Sequence, residues 1–218
     1  MIILNFKTYA ETFGNKSENL AKTIREASVN YKTQVIIAAS ALDAYRLQNS
    51  TGVEVWLQSI DEYSEGKHSG WVSPKQAQSL GINGSLINHS EHRLKKGTIQ
   101  KILANKPENF KIVCCAHSLG QIPWIKKSNP DYILYEPPEL IASPDKSVAT
   151  EKADSIKNAV ALASPIPLIV GAGIKSTEDV RVSCKMGAIG ICLSSAFVLS
   201  ENPKEFLIKL LEGFDDII

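Results

Sequence analysis

The stretch Ile166-Pro167-Leu168-Ile169-Val170-Gly171-Ala172-Gly173-Ile174-Lys175-Ser176-Thr177-Glu178-Asp179, with its continuation Met186-Gly187-Ala188-Ile189-Gly190-Ile191-Cys192-Leu193-Ser194-Ser195-Ala196, decides the fold. It opens on a short apolar, partly β-branched run and turns on glycine. Ser176-Thr177-Glu178-Asp179 then starts a helix, with hydroxyl caps and acid in the first turn, where the helix dipole favours negative charge. Met186-Gly187 closes that helix and a second apolar run begins. A strand, a helical crossover and a strand in this order pair in parallel with right-handed winding.

Runs of the same kind begin near Ile2, Val35, Val53, Ser85, Phe110, Tyr132, Ile166 and Ile189. Eight runs along 218 residues make about 27 residues per unit, the length of one strand, one helix and two short loops. Ser73-Pro74 and Asn202-Pro203 place proline at the first helical position, and Thr150-Glu151-Lys152-Ala153-Asp154 opens a helix that ends by Ser164-Pro165. The interval between Val35 and Val53 leaves room only for a stubby helix around Leu42 to Leu47. Crossovers of this kind build an open doubly wound sheet or a closed barrel, and eight units favour the (β/α)8 barrel, a single α/β domain over residues 1–218.

Composition narrows the function classes. Lys plus Arg number 24 and Asp plus Glu 23, a net charge of +1 without the basic excess that polyphosphate binding requires, so nucleic acid is not expected as a partner. At 44% hydrophobic and 22% charged the chain has the balance of a globular protein. No apolar run has the roughly 18 residues of a membrane span, and the start lacks a charged region followed by a cleavable apolar one; the expected location is cytoplasmic. Cys114, Cys115, Cys184 and Cys192 form no C-x-x-C pair, and Cys114 and Cys115, neighbours on an extended strand, point to opposite faces. They are expected to be reduced and structural.

In a barrel of this kind chemistry sits at the C-terminal ends of the strands. Asn5-Phe6-Lys7 follows the first run, Asn88-His89-Ser90-Glu91-His92-Arg93 the fourth, and Tyr135-Glu136-Pro137-Pro138 the sixth. Gly171-Ala172-Gly173 follows the seventh and Ser194-Ser195-Ala196 the eighth. These turns offer a cation, an imidazole, a carboxylate and small-residue backbone, the ingredients of proton abstraction beside the carbonyl of a phosphorylated substrate. Taken singly each has a plainer reading: Lys7 as a solvated charge, His89 as part of a capping turn, Glu136 as a strand end before two prolines. His89 and His92 stand at i, i+3 without a third ligand at suitable spacing, so neither a metal nor a cofactor is expected.

In this order the motifs resemble those of the triosephosphate isomerase family: Asn-x-Lys at Asn5-Phe6-Lys7, His-Ser-Glu at His89-Ser90-Glu91 and Tyr-Glu-Pro at Tyr135-Glu136-Pro137. The resemblance runs from the first residues to the last strand, and the short chain looks most like the compact archaeal branch. It implies a TIM barrel that interconverts dihydroxyacetone phosphate and D-glyceraldehyde 3-phosphate through an enediolate. Glu136 is then the base, His89 the group that shuttles a proton between the two substrate oxygens, and Lys7 the fixed cation, with Asn5 orienting it. The start of a helix at Ser90-Glu91 is expected directly after His89. Glu91 would pair with Lys7 or relay protons, with Ser90 in support. Phosphate would be held on backbone N–H groups of Ala142, Gly173, Ser194 and Ser195.

Two departures from the family pattern stand out. Its lid usually runs on to Ile-Gly-Thr-Gly, whereas here Ile141 precedes Ala142-Ser143-Pro144, a stiffer hinge. The last phosphate turn reads Ser194-Ser195-Ala196 where glycine is common. Alternative readings are a sugar-phosphate epimerase, which commonly relies on a metal and two acids, and a sugar-phosphate-binding barrel with altered catalysis. The loop from Asp61 to Gly70, with Ser69 at its tip, resembles the segment that reaches into a neighbouring subunit beside Asn5 and Lys7. A homo-oligomer, dimer or tetramer, is expected through it.

Overall fold

The eight apolar runs become eight strands, each starting within about two residues of its expected place: β1 Ile2–Asn5, β2 Val35–Ala39, β3 Glu54–Leu57, β4 Gly84–Ile87, β5 Lys111–Ala116, β6 Tyr132–Tyr135, β7 Leu168–Val170 and β8 Gly190–Leu193. A computed structural model of the chain describes residues 1–137, 149 and 153–215. All neighbours pair in parallel in sequence order, and β8 returns to β1, so the sheet is a closed barrel. No described helix is long and apolar enough to cross a membrane.

The strands read as continuous apolar runs because both faces are covered. Side chains alternate between them. Ile3, Ile36, Trp56, Leu86, Val113, Cys115, Leu134, Ile169 and Cys192 fill the barrel interior. Their neighbours Ile2, Leu4, Ile37, Val55, Ile112, Cys114, Ile133, Val170 and Ile191 pack outward under the helices. Cys114 and Cys115 thus fall on opposite faces, both buried and unpaired. Trp56 is the largest inner side chain, and Gly84 on the adjacent strand makes room for it. A Cβ at Gly84 would overlap the Trp56 indole, so any larger residue there overpacks the interior.

The helix Thr177–Lys185 begins as its sequence dictates, with Ser176 and Asp179 forming a reciprocal capping box. Ser73 caps the helix Pro74–Ser79 in the same place relative to its proline. Between β2 and β3 the helix runs from Ala41 to Ser50, longer than the stub expected around Leu42 to Leu47. Ser40 alone separates it from β2, which is how ten helical residues fit into the short interval. The helix expected to open at Thr150 is described over Ala153–Ala163.

The loop Asp61 to Gly70 has no helix or strand, as expected, yet it is internally tied. Asp61 and Val72 exchange hydrogen bonds, Asp61 N–H to Val72 O at 3.0 Å and Val72 N–H to Asp61 Oδ2 at 2.7 Å. Tyr63 stacks on His68 with centroids 4.2 Å apart and meets Trp71 edge-on at 4.9 Å. Those contacts give an exposed loop a fixed shape.

Candidate active site

One more step of the inward alternation, past the apolar filling of the barrel, sets the floor of the site. Two residues beyond Ile3 stands Asn5; beyond Trp56, Gln58; beyond Leu86, Asn88. Beyond Cys115 stands His117, beyond Leu134 Glu136, beyond Ile169 Gly171, and beyond Cys192 Ser194. A cavity of about 320 Å³ opens at this level, lined by Asn5, Lys7, His89, Glu136, Gly173, Ser194 and Ser195 among others. Its volume suits a small metabolite. Of the site residues expected from sequence, Ser90 and Glu91 sit beside it, and Ala142 lies outside the described residues together with Ser143 and Pro144.

Lys7 turns sharply off β1 with φ of 48°, a left-handed conformation that an L residue holds only under constraint. Two contacts supply the constraint. Its backbone N–H donates to Asn5 Oδ1 at 3.0 Å, and Gln58 Nε2 donates to its carbonyl at 3.0 Å. The Lys7 ammonium then reaches Glu91 Oε1 at 2.6 Å, a contact that fits the first of the two roles read for Glu91, pairing with Lys7 or relaying protons.

Asn88, also left-handed with φ of 59°, pins the turn that carries His89. Its side chain donates to Cys115 O at 2.9 Å and accepts from Leu94 N–H at 3.0 Å. After His89 the chain makes a turn, with His92 N–H to His89 O at 2.8 Å, and the next helix begins only at Lys96. The expectation of a helix start at Ser90-Glu91 is therefore corrected. A single amide does the local work: Glu91 N–H donates to His89 Nδ1 at 3.2 Å. Nδ1 is thereby an acceptor, and in the neutral ring the proton sits on Nε2. Burial pushes the His89 imidazole down to about 4, Glu91 opposes this, and Lys7 and His117 reinforce it. His89 is neutral at physiological pH.

Glu136 lies beside it, with Oε2 3.5 Å from His89 Nε2. Glu136 is 6% exposed, and its Oε2 has no hydrogen-bond partner among the described residues. Beneath it are the inner-layer thiols of Cys115 and Cys192, raised well above their usual range by burial and by Glu136 itself. Burial likewise pushes Glu136 up to about 7, against the pull of Lys7 and with a smaller push from Glu91. Gly171 makes this position available, since a Cβ there would stand 2.5 Å from both Glu136 Cγ and Oε1. The glycine read from sequence as a turn residue is needed for clearance. In the same turn Ala172 and Gly173 are both left-handed, at φ of 72° and 73°.

Four contributors escaped the motif-based reading: Gln58, Asn88, His117 and the steric role of Gly171. Each stands two residues past an inner-layer residue, so the alternation was the signal that could have found them. His117 is buried, held below the ordinary imidazole range by desolvation first and then by Arg93, and acts in turn on His89.

Parallel strands closing around a buried carboxyl, a neutral imidazole and an ammonium define a (β/α)8-barrel enzyme equipped for proton transfer. Comparison with known proteins names the family. A family model for triosephosphate isomerase matches residues 1–212. The triosephosphate isomerase of Methanobrevibacter smithii is 34% identical over 215 residues, covering 97% of both chains. That of Saccharolobus solfataricus is 34% identical over 218 residues, 98% of this chain and 94% of its own. The chain belongs to the triosephosphate isomerase family.

The displaced Glu136 carboxyl has a thermodynamic consequence. The native state holds this proton up to about pH 7 whereas the unfolded chain releases it near 4.5, so stability falls as pH rises through that window. His89, displaced downward, works in the opposite direction between about 4 and 6.5. Glu136→Gln removes only the first effect. Its melting temperature should match the parent near pH 4.5 and exceed it by several degrees at pH 8, reflecting up to about 3 kcal/mol. A parent and variant that melt alike at pH 8 would contradict the buried charge.

Proposed function

We propose that Glu136, His89 and Lys7 carry out the interconversion of dihydroxyacetone phosphate and D-glyceraldehyde 3-phosphate, the reaction of the family to which the chain belongs, in cytoplasmic glycolysis and gluconeogenesis. The observation that supports this assignment most is the opposite displacement of two groups 3.5 Å apart, a carboxyl raised to about 7 and an imidazole lowered to about 4. A base works best when its pKa lies near the working pH, and a neutral imidazole can both donate and accept one proton.

Glu136 takes a proton from C1 of dihydroxyacetone phosphate, and the electron pair moves through C2 to leave an enediolate. His89 gives its Nε2 proton to the oxygen on C2 and receives one from the oxygen on C1. Glu136 then returns its proton to C2, and the aldehyde is formed with no net gain or loss. Lys7 sets a positive charge against the enediolate while Glu91 holds it in place, with Ser90 in the turn that links Glu91 to His89. Asn5 orients Lys7. The phosphate rests on backbone N–H groups of Ala142, Gly173, Ser194 and Ser195; three of these line the cavity, and the buried Ser194 hydroxyl has no partner among the described residues. No resident cofactor enters this scheme.

The same reading extends to assembly, with residues 1–218 as one barrel domain in a homo-oligomer. An apolar groove of about 360 Å³ runs beside Lys7, bordered by Phe6, Phe13 and Leu42. Leu42 is 98% exposed and Phe13 57%. The loop Asp61 to Gly70 of a second copy, shaped by Tyr63, His68 and Trp71, is the proposed occupant, with Ser69 leading.

Glu136→Asp withdraws the carboxylate by one methylene and should lower kcat by about 100-fold or more in a coupled assay, with the circular dichroism melt unchanged. Near-normal turnover would remove Glu136 from the role of base. Dilution into the monomer range, followed by sedimentation and activity together, should lower specific activity. A monomer as active as the assembly would overturn the role of the loop.

A further inference from the structure

A buried side-chain atom without a hydrogen-bond partner costs stability, so its retention calls for a reason. Around the mouth of the barrel three described residues carry such atoms: His117 with both ring nitrogens, Glu136 with Oε2, and Ser194 with its hydroxyl. Of the three, Glu136 and Ser194 line the cavity, and Glu136 is the base assigned above. The phosphate placement uses the backbone N–H of Ser194 and leaves its side chain without a task.

Ser194 stands two residues past Cys192 on the inward-facing row, between Gly171 at the end of β7 and Asn5 at the end of β1. Neither neighbour takes the hydroxyl: Gly171 has no side chain, and Asn5 Oδ1 already accepts from Lys7 N–H at 3.0 Å. Local structure does not take it either. Ser194 precedes the short helix Ser195–Val198, at the position where a serine oxygen usually accepts from a helix amide, yet that bond is not made. The residue is half-buried in the cavity wall while its oxygen is shut off from water. A serine oxygen moves between staggered positions by rotation about one bond, so a ligand in the cavity can engage it without a backbone change.

We propose that the Ser194 hydroxyl is a substrate-binding donor to the phosphoryl group, separate from the backbone amides of Gly173, Ser194 and Ser195 and satisfied only when substrate arrives. This rests on the phosphate placement proposed above and deepens it. An amide and a hydroxyl on one residue are close enough to serve one phosphoryl group, and a charged oxygen is the acceptor from which a hydroxyl gains most. Binding then gains twice, from the new hydrogen bond and from relief of an oxygen that has no partner in the free protein. Because the phosphoryl group does not change during proton transfer, the hydroxyl holds ground state and transition state alike. It acts on KM and on anion affinity, and leaves the proton-transfer step to Glu136 and His89. The free protein accepts a small loss of stability in exchange.

Competitive inhibition by inorganic phosphate, together with thermal melts with and without phosphate, tests this on the full-length parent protein, Ser194→Ala and Ser194→Cys. Both variants keep the backbone amide; the first removes the hydroxyl, and the second replaces it with a weaker donor of similar shape. Each should raise the phosphate Ki and the KM for glyceraldehyde 3-phosphate together by about tenfold, with a smaller change in kcat. Without phosphate, Ser194→Ala should melt no lower than the parent, and a fixed phosphate concentration should raise its melting temperature less than the parent's. Equal phosphate Ki and KM in parent and Ser194→Ala, with competitive inhibition intact, would overturn the role of the hydroxyl while leaving the phosphate placement on backbone amides standing. A Ser194→Cys variant with the parent's Ki would overturn it too, because bulk and not the donor would then be at work. So would a fall in kcat at constant KM, which gives the hydroxyl to the reacting end, or a phosphate-free melt of Ser194→Ala several degrees below the parent, which gives it a partner within the fold. Phosphate that fails to compete with substrate in the parent would overturn the phosphate placement and this inference together.

Discussion

A carboxyl group deprived of water governs the arrangement of the site. Glu136 is seated at the end of β6 with an oxygen that has no partner among the described residues, over inner-layer thiols that carry no compensating charge. Lys7 is its nearby cation, and Lys7 is tied to Glu91. Desolvation outweighs that remaining attraction, so the acid is raised to about 7 instead of lowered. The same exclusion of water acts in reverse on His89 and keeps it neutral. One physical cause thus sets a raised carboxyl and a neutral imidazole side by side.

The barrel produces this environment as a consequence of its own packing. Closure of β8 onto β1 leaves no sheet edge, and the inner layer from Ile3 to Cys192 is almost fully buried and forms an apolar floor. The polar side chains of the site stand one alternation higher, where the strands end and loops begin. Gly84 and Gly171 show the tolerance involved, one clearing space for Trp56 and the other for Glu136. The left-handed backbones of Lys7 and Asn88 are held by side-chain hydrogen bonds from or to Asn5, Gln58, Cys115 and Leu94, so strain at the strand ends is offset within the site.

Much of this was legible in the amino-acid sequence, for reasons that can be stated residue by residue. The eight runs were readable because a strand buried on both faces has to be apolar throughout, and the helix at Ser176 because its capping pair is local. Asn5, Lys7, His89, Glu91 and Glu136 were readable because they follow strands in a characteristic order. Gln58 and His117 carry no motif, and their contribution depends on contacts with chain far away in sequence. The absence of a helix after His89 was illegible for a related reason: Ser90-Glu91 satisfies the composition of a helix start, while His89 Nδ1 and the Asn88 contacts hold the segment in a turn. Gly171 was noticed for its backbone freedom, although its role comes from the side chain lying opposite.

Family membership and geometry meet in the ionisation of one group, and that group can be observed directly. Infrared difference titration of the ligand-free protein, with Glu136→Gln to assign the carboxyl band, measures the midpoint of Glu136 without reference to turnover. The expected midpoint lies near 7. A midpoint in the ordinary carboxylate range, near 4.5, would mean that water reaches the group and that burial does not control its ionisation.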